Sequence, residues 1–327
     1  MSLTIIKAGI LDTIQDTGRY GFQNAGINPN GAMDQFSARL SNCLVGKKMN
    51  AAVIEMHFPA PAIQFNQSTI ICITGADFEP VIATKKVALQ QPVFVKKQAI
   101  LEFKKVKSGA RCYLSVLHHL QISKWLGSFS TNLKAQAGGF EGRALQAGDT
   151  IAFEPHEEFD RFLGSADTGV LPWKPVPFKQ QSAQTIECIQ GPEWHWLTEA
   201  GQAAFTKNTF TISTVADRMG YRLKGTALQV KEQKQLVSSG VGFGTIQLLP
   251  NGQLIVLMAD HQTTGGYPRI ANIISTHLPA LAQMNPNSQL RFALTTIDIS
   301  QQKLLKEHQY LQSVQDACKF KINNILQ

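Results

Sequence analysis

Apolar residues in this chain come in short runs, and that shortness constrains the fold more than any other feature. Residues 63–65, 69–74, 93–95, 100–103 and 111–117 form such runs, as do 186–189, 209–213, 244–248, 253–258 and 289–294. Each is bounded by turn-forming residues, and many hold Val, Ile, Thr or Phe, so they predict strands. Asn251-Gly252, between two of the runs, predicts a tight hairpin because both residues tolerate positive φ. No run approaches the roughly 18 residues that span a bilayer. The expected fold is mainly β with a few helices, and no membrane partner.

Helical periodicity is confined to four places. Residues 32–45 carry Phe36, Leu40, Cys43 and Leu44 near a 3.6 spacing, with Gly46 as a stop. Pro192 suits the first turn of a helix reaching about residue 205. A third helix is expected over 267–281, interrupted near Pro279. A fourth covers 300–318, with Leu304, Leu305 and Leu311 as its inner face. The stretch 164–184 holds Pro172, Pro175 and Pro177 without periodicity and reads as a linker. A length of 327 residues suits two domains, expected at 1–170 and 180–327.

A weak internal repeat supports two related halves. Asp16-Thr-Gly-Arg-Tyr-Gly-Phe matches Asp217-Arg-Met-Gly-Tyr-Arg-Leu. Ile54-Glu55-Met56 matches Ile246-Gln247-Leu248, and Gly75-Ala76-Asp77 matches Ala259-Asp260. The order is kept and the period is domain-sized, which indicates duplication of one β unit and not a solenoid.

Composition excludes several classes. With 43% hydrophobic and 17% charged residues the chain is globular, not disordered. The net charge of +8 is spread over short lysine pairs such as Lys47-Lys48, Lys85-Lys86, Lys96-Lys97 and Lys104-Lys105. Solvated edges and turn tips account for these better than a nucleic-acid groove. Five cysteines, an odd number without a C-x-x-C pair, favour buried free thiols in a reducing compartment. A cytoplasmic location follows, and residues 1–14 read as a first strand, not a signal peptide. Adjacent His118 and His119 would point to opposite faces of a strand, so no metal site is expected there.

Four polar, glycine-rich blocks stand out as chemistry. Asp16, Gly18 and Arg19 open the first, followed by Gly31 and Asp34 at a helix start. Arginine can fork onto a carboxylate or phosphate, and aspartate can hold or accept a proton. Equally, Asp34 can simply cap the helix, and Asp16 can pair with Arg19 to tie down a turn. The second block, Gly138-Gly139-Phe140-Glu141-Gly142-Arg143, can wrap N–H groups around an anion, but lacks the lysine and hydroxyl of a P-loop. The third is Asp217-Arg218-Met219-Gly220. The fourth is Asp260-His261-Gln262-Thr263-Thr264-Gly265-Gly266-Tyr267-Pro268, expected between a strand end and a helix N-terminus, where a small polar or anionic ligand would sit.

Together these blocks resemble the family variously called biotin-dependent carboxyltransferase, allophanate hydrolase subunit 2, urea amidolyase-related protein or C-type 5-oxoprolinase subunit. The resemblance runs from Gly9 to about Phe292 and includes Asn42-Cys43-Leu44-Val45-Gly46 and Gly244-Thr245-Ile246-Gln247. It implies two tandem cyclophilin-like β-barrel domains. It also implies a subunit of a heteromeric, ATP-dependent 5-oxoprolinase that opens 5-oxoproline, a small-molecule substrate, to L-glutamate. Its companions would be a paralogous, B-like β-barrel protein and a third, A-like protein. Two alternatives come with the family: the carboxyltransferase component of a biotin-dependent urea carboxylase, and a regulatory partner of a kinase inhibitor. The chain has no Ala-Met-Lys-Met segment for biotin, so biotin enters only under the carboxylase alternative, and carboxylation by this chain alone is not expected. Under the first reading Asp16, Arg19, Arg143, Asp217, Arg218 and Asp260 are the catalytic candidates. Gly139, Gly142, Gln262, Thr264, Gly265, Gly266 and Tyr267 are the cofactor-binding candidates, with ATP as the cofactor of the complex. The chain departs from the family at His118-His119, where small residues are usual, and at Phe129, where a basic residue is usual.

Overall fold

The computed structural model describes residues 1–155, 168–178, 184–232 and 236–326. The chain folds as two compact units. The first comprises Met1–Gly18, Asp34–Phe178 and His308–Gln327; the second comprises Arg19–Met33 and Lys179–Glu307. Both are mainly β, and every strand expected from a short apolar run is present.

In the first unit the described strands form two six-stranded sheets. One runs in the order Thr150–Ala152, Ser2–Lys7, Ala62–Phe65, Ile100–Phe103, Pro80–Ile82, Lys85–Lys86. The other runs Gly169–Val170, Val93–Val95, Thr69–Asp77, Ser108–Val116, Val53–Met56, Thr13–Gln15. Leu3, Ile5, Ile63, Phe65, Ile71 and Leu114 meet in one apolar core. Alternation of buried and open positions along Ser2–Lys7 and Ala62–Phe65 puts one face of each strand there. Lys85 and Lys86 lie on the exposed edge strand, where charge discourages edge-to-edge pairing. Lys47 differs from the expected solvated pair. It is buried, its Nζ lies 3.4 Å from the Ala52 carbonyl, and burial lowers its pKa to about 7 against a weaker opposing pull from Glu154.

Helix α1 (Gln35–Leu44) starts where Asp34 Oδ1 accepts the Ser37 N–H at 2.8 Å and ends before Gly46, whose φ is +72°. The 164–184 stretch falls partly outside the described residues. Its described part, 168–178, is no free linker: Gly169–Val170 pairs with Val93 and Phe94, and Trp173 is buried beside Phe36 and Leu40.

The second unit is a closed barrel in the order Thr185–Gln190, Arg269–Ile273, Thr245–Leu248, Leu254–Leu257, Gly220–Lys224, Phe210–Ile212, Gln289–Leu294. Parallel pairing of the first and last strands closes it, which removes the exposed sheet edge. Phe205 stacks on Phe292 inside at 4.7 Å, with Tyr221, Ile246 and Val256 around them. The Asn251-Gly252 hairpin joins two of its strands, and Gly252 has φ +77°.

Three helix expectations need correction. Residues 192–205 divide into a 3-10 turn, Trp194–Trp196, and α2 (Glu199–Lys207), which Thr198 caps. Residues 267–281 are no helix: Arg269–Ile273 is a strand hydrogen-bonded on both sides, followed by a 3-10 turn and the short α3 (Leu278–Ala282). Two strand partners offer Ile270, Ala271 and Ile273 a fully buried position that a surface helix would not. The terminal helix α4 (Ile297–Leu326) is longer than expected. Leu311, Cys318 and Ile322 form its buried face, while Leu304 and Leu305 are exposed. Among the described residues no helix is long and apolar enough to cross a membrane. All five cysteines are free and buried.

Candidate functional site

In the first unit, the loop after strand Thr13–Gln15 and the loop carrying Ser128–Thr131 form one cluster. Asp16 Oδ1 accepts from the Gly18 N–H (2.7 Å), Ser128 Oγ (2.6 Å) and Ser130 Oγ (2.6 Å); Oδ2 accepts from the Phe129 N–H (2.7 Å). A carboxylate holding so many donors is well solvated by protein although buried. Thr131 continues the cluster, its N–H and Oγ both donating to the Ile14 carbonyl. Gly139 lies against Thr131 so closely that a Cβ there would be 1.9 Å from Thr131 Oγ, and a Cβ on Gly142 would be 2.2 Å from the Gln136 carbonyl oxygen. Both have positive φ, so the loop's shape requires glycine at these positions. Arg143 forks onto Asp149 at 2.7 and 2.9 Å and also donates to Glu141 at 2.6 Å. Those hydrogen bonds hold the Asp149 carboxyl below its usual range against the burial that would raise it.

Of the positions expected to depart from the family, Phe129 belongs to this cluster, whereas His118 meets Thr69 and Phe153. The His118 ring is buried, stacked 5.2 Å from Phe153 and within hydrogen-bond reach of Thr69 Oγ (2.9 Å), while His119 is exposed. Phe129 contributes its N–H to Asp16, and its ring lies 5.0 Å from Lys124 Nζ.

The second unit gathers Arg19, Asn30, Arg218 and Asp260. Arg218 Nε and Nη2 fork onto Asp260 Oδ2 and Oδ1, both at 2.9 Å, and Nη2 also reaches the Gly31 carbonyl at 2.7 Å. Asn30 Nδ2 donates to Asp260 Oδ1 at 2.7 Å, Asn28 Nδ2 donates to the Asp260 carbonyl at 3.0 Å, and Arg19 Nη1 donates to Asn30 Oδ1. These bonds fasten residues 19–33 onto the barrel. Asp217, expected beside Arg218 as an acid or base, folds back on its own turn: Oδ1 accepts the N–H groups of Met219 and Gly220 at 2.8 and 3.1 Å.

The fourth block leaves the Arg218–Asp260 pair and runs to the barrel rim. His261 is buried, its Nδ1 2.6 Å from the Gln262 carbonyl, and burial lowers its pKa. Thr264–Gly265 pairs with Ser239–Gly240 as a small ribbon, so no helix N-terminus follows this block as expected. Gly266, Tyr267 and Pro268 form a wall of a cleft of about 520 Å³ completed by Trp196, Leu248 and Pro250 among others. The cleft is apolar and suits an apolar group better than a phosphate. A nucleotide triphosphate needs uncommitted cations, and Arg143 and Arg218 are already neutralised by Asp149 and Asp260. These residues as they stand do not fit ATP. Among the described residues no group of three His, Cys, Asp or Glu side chains is placed to hold a metal ion.

Against known proteins, a family model described as the carboxyltransferase domain, subdomain A and B, matches residues 25–294. The chain belongs to this carboxyltransferase family. Within it, the C-type subunit of 5-oxoprolinase from Haemophilus influenzae is 36% identical over 302 residues, covering 92% of this chain and 94% of that protein. The Escherichia coli protein of the same name is 34% identical over 322 residues, 98% of this chain and 99% of that one. Urea amidolyase of Saccharomyces cerevisiae matches over 158 residues at 35% identity, covering 48% of this chain but 9% of that protein. The solved urea carboxylase of Kluyveromyces lactis superposes with a TM-score of 0.87 at 22% identity, over 96% of this chain and 29% of that chain. That likeness shows the carboxyltransferase-family fold.

Several residues of these clusters carried no signal of their own in the sequence. Ser128, Ser130, Asn28 and Asn30 are ordinary loop residues until the fold brings them to Asp16 and Asp260. Glu193 and Arg269 form a two-pronged pair at 2.8 and 3.0 Å on the barrel rim. The only available sign of Arg269 was its place directly after the fourth block.

Proposed function

We propose that the chain is the C-type member of a heteromeric, ATP-dependent 5-oxoprolinase, opening 5-oxoproline to L-glutamate together with B-like and A-like companions. The observation that carries this reading is the end-to-end match, at 34–36% identity, to two bacterial proteins of that name. In this reading the Asp16 cluster and the Arg218–Asp260 pair act as the frame that shapes the glycine loops. Gln262, Thr264, Gly265, Gly266 and Tyr267 are left to face the small molecule. The nucleotide belongs to the assembled complex, and no step is assigned to it on Arg143 or Arg218.

The test is reconstitution. The chain is combined with its B-like and A-like companions, and glutamate release from 5-oxoproline is measured with and without ATP. Turnover that needs ATP and vanishes when this chain is left out supports the proposal. Undiminished turnover without the chain, or none from a folded, assembled complex, overturns it.

A further inference from the structure

The ribbon Ser239–Gly240 against Thr264–Gly265 is separate from the barrel sheet. Two residues per strand do not hold themselves together in water. The composition makes matters worse, because Gly240 and Gly242 have nothing within 4 Å of where a side chain would begin and glycine has the most backbone freedom to lose. Yet this ribbon carries Thr264 and Gly265 and leads directly into Gly266 and Tyr267.

Besides Thr245 Oγ, which accepts the Gly242 N–H at 3.1 Å, and Gln247 Nε2, which donates to the Tyr267 carbonyl at 3.4 Å, the ribbon is held by Arg269. Its Nη1 donates to the Gly240 carbonyl at 3.1 Å. The rest of the guanidinium is aimed by Glu193: Nε reaches Oε2 at 3.0 Å and Nη2 reaches Oε1 at 2.8 Å. The Arg269 N–H donates to the same Oε2 at 2.8 Å, and the Glu193 N–H returns to the Arg269 carbonyl at 3.2 Å. Backbone contact is so close that a Cβ on Gly191 would be 2.1 Å from the Arg269 carbonyl oxygen. A planar fork can keep two prongs on a carboxylate and still present a third elsewhere; a lysine ammonium cannot fix that angle.

We propose that Glu193 and Arg269 are a positioning pair that locks the glycine ribbon in the conformation that binds the small-molecule substrate. The kinetic consequence rests on the 5-oxoprolinase reading; the structural one does not. The experiment uses Arg269→Ala, Arg269→Lys and Glu193→Gln. Hydrogen exchange on the full chain is expected to speed up roughly tenfold or more at residues 239–241 and 263–265 in Arg269→Ala, less in Arg269→Lys, with strand Leu254–Leu257 unchanged. In the assembled enzyme, KM for 5-oxoproline rises by roughly fivefold or more while kcat stays within about twofold. Ribbon exchange at the wild-type rate in Arg269→Ala overturns the proposal, as does a loosened ribbon with unchanged KM. Should Arg269→Ala fail to fold, Arg269→Lys and Glu193→Gln decide by the same two readouts. A wild-type complex that does not turn over 5-oxoproline defeats the functional reading alone, and exchange still judges the latch.

Discussion

Asp16 in the first unit and Asp260 in the second are both carboxylates with little solvent access, solvated in different ways. Asp16 is held by two serine hydroxyls and two backbone N–H groups. Asp260 is held by the fork of Arg218, with Asn30 on one oxygen. Many neutral donors fix a loop through geometry and spread the cost of any single loss. One fork concentrates it, because removing the cation strands a charge. The first unit therefore has a loop cluster that tolerates the loss of one donor, and the second has a single point of failure.

The sharpest way to break this comparison is Arg218→Ala. It leaves Asp260 without its fork, and urea unfolding is expected to show a loss of about 4 kcal/mol. Adding Asp260→Asn should restore a large part of it, so a double-mutant cycle gives a coupling well above about 1 kcal/mol. A cycle close to zero would mean that the fork does not govern this loop.

A third carboxylate, Asp12, tests what happens when donors run short. Its Oδ2 accepts the Gly9 N–H at 2.7 Å, but Oδ1 is buried with no hydrogen-bond partner. Burial raises its pKa to about 7, against weaker lowering by backbone N–H groups of Gly9 and His57. The folded state then holds a proton more tightly than the unfolded chain between roughly pH 4 and 7. Stability is greatest below the unfolded pKa and falls as pH rises through that window, by about 4 kcal/mol, then levels off. Asp12→Asn should flatten this part of the curve; an equal slope in the variant sinks the assignment. For Asp16→Asn the expected loss is smaller, about 2 kcal/mol, because whichever way the amide is turned its NH2 faces a donor. Ser130→Ala should cost about 1 kcal/mol, and a loss as large as that of Arg218→Ala would erase the contrast between the units.

The strands were legible because short runs bounded by turn residues have few other uses, and Asp34 marked the start of α1 by its chemistry. Strand Arg269–Ile273 was not, since an apolar run of this length satisfies either period. What decides it are partners far along the chain, Cys188 opposite Ile273 and Thr245 opposite Asn272. Leu304 and Leu305 have the spacing of an inner face, but which side of a helix is buried depends on the surface it meets. The site was half legible for the same reason. Glycines and arginines stand out in a sequence, whereas Ser128 and Asn30 lie 112 and 230 residues from the carboxylates they hold. Position along the chain says nothing about such pairs.

The smallest effect comes from His277 in the second unit, where a carboxylate and two bases meet. The Glu187 N–H donates to His277 Nδ1 at 3.1 Å, Nε2 lies 3.9 Å from Glu187 Oε2, and Lys303 Nζ binds that same oxygen. Proximity to Glu187 favours the imidazolium, but burial outweighs it and Lys303 adds to burial, so the pKa is lowered. Nδ1 must also stay unprotonated to accept the Glu187 N–H. The unfolded chain takes up a proton near pH 6.5 and the folded chain only below that. Stability from this residue is thus complete above about pH 6.5 and declines as pH falls, the opposite direction to Asp12. His277→Gln should remove this decline of stability below about pH 6.5. Imidazole carbon shifts followed by NMR should place the His277 midpoint below the ordinary imidazole value of 6.5. A midpoint above it would mean that Glu187 governs the ring, and that the second unit draws on its ion pairs more heavily than the Arg218–Asp260 fork alone implies.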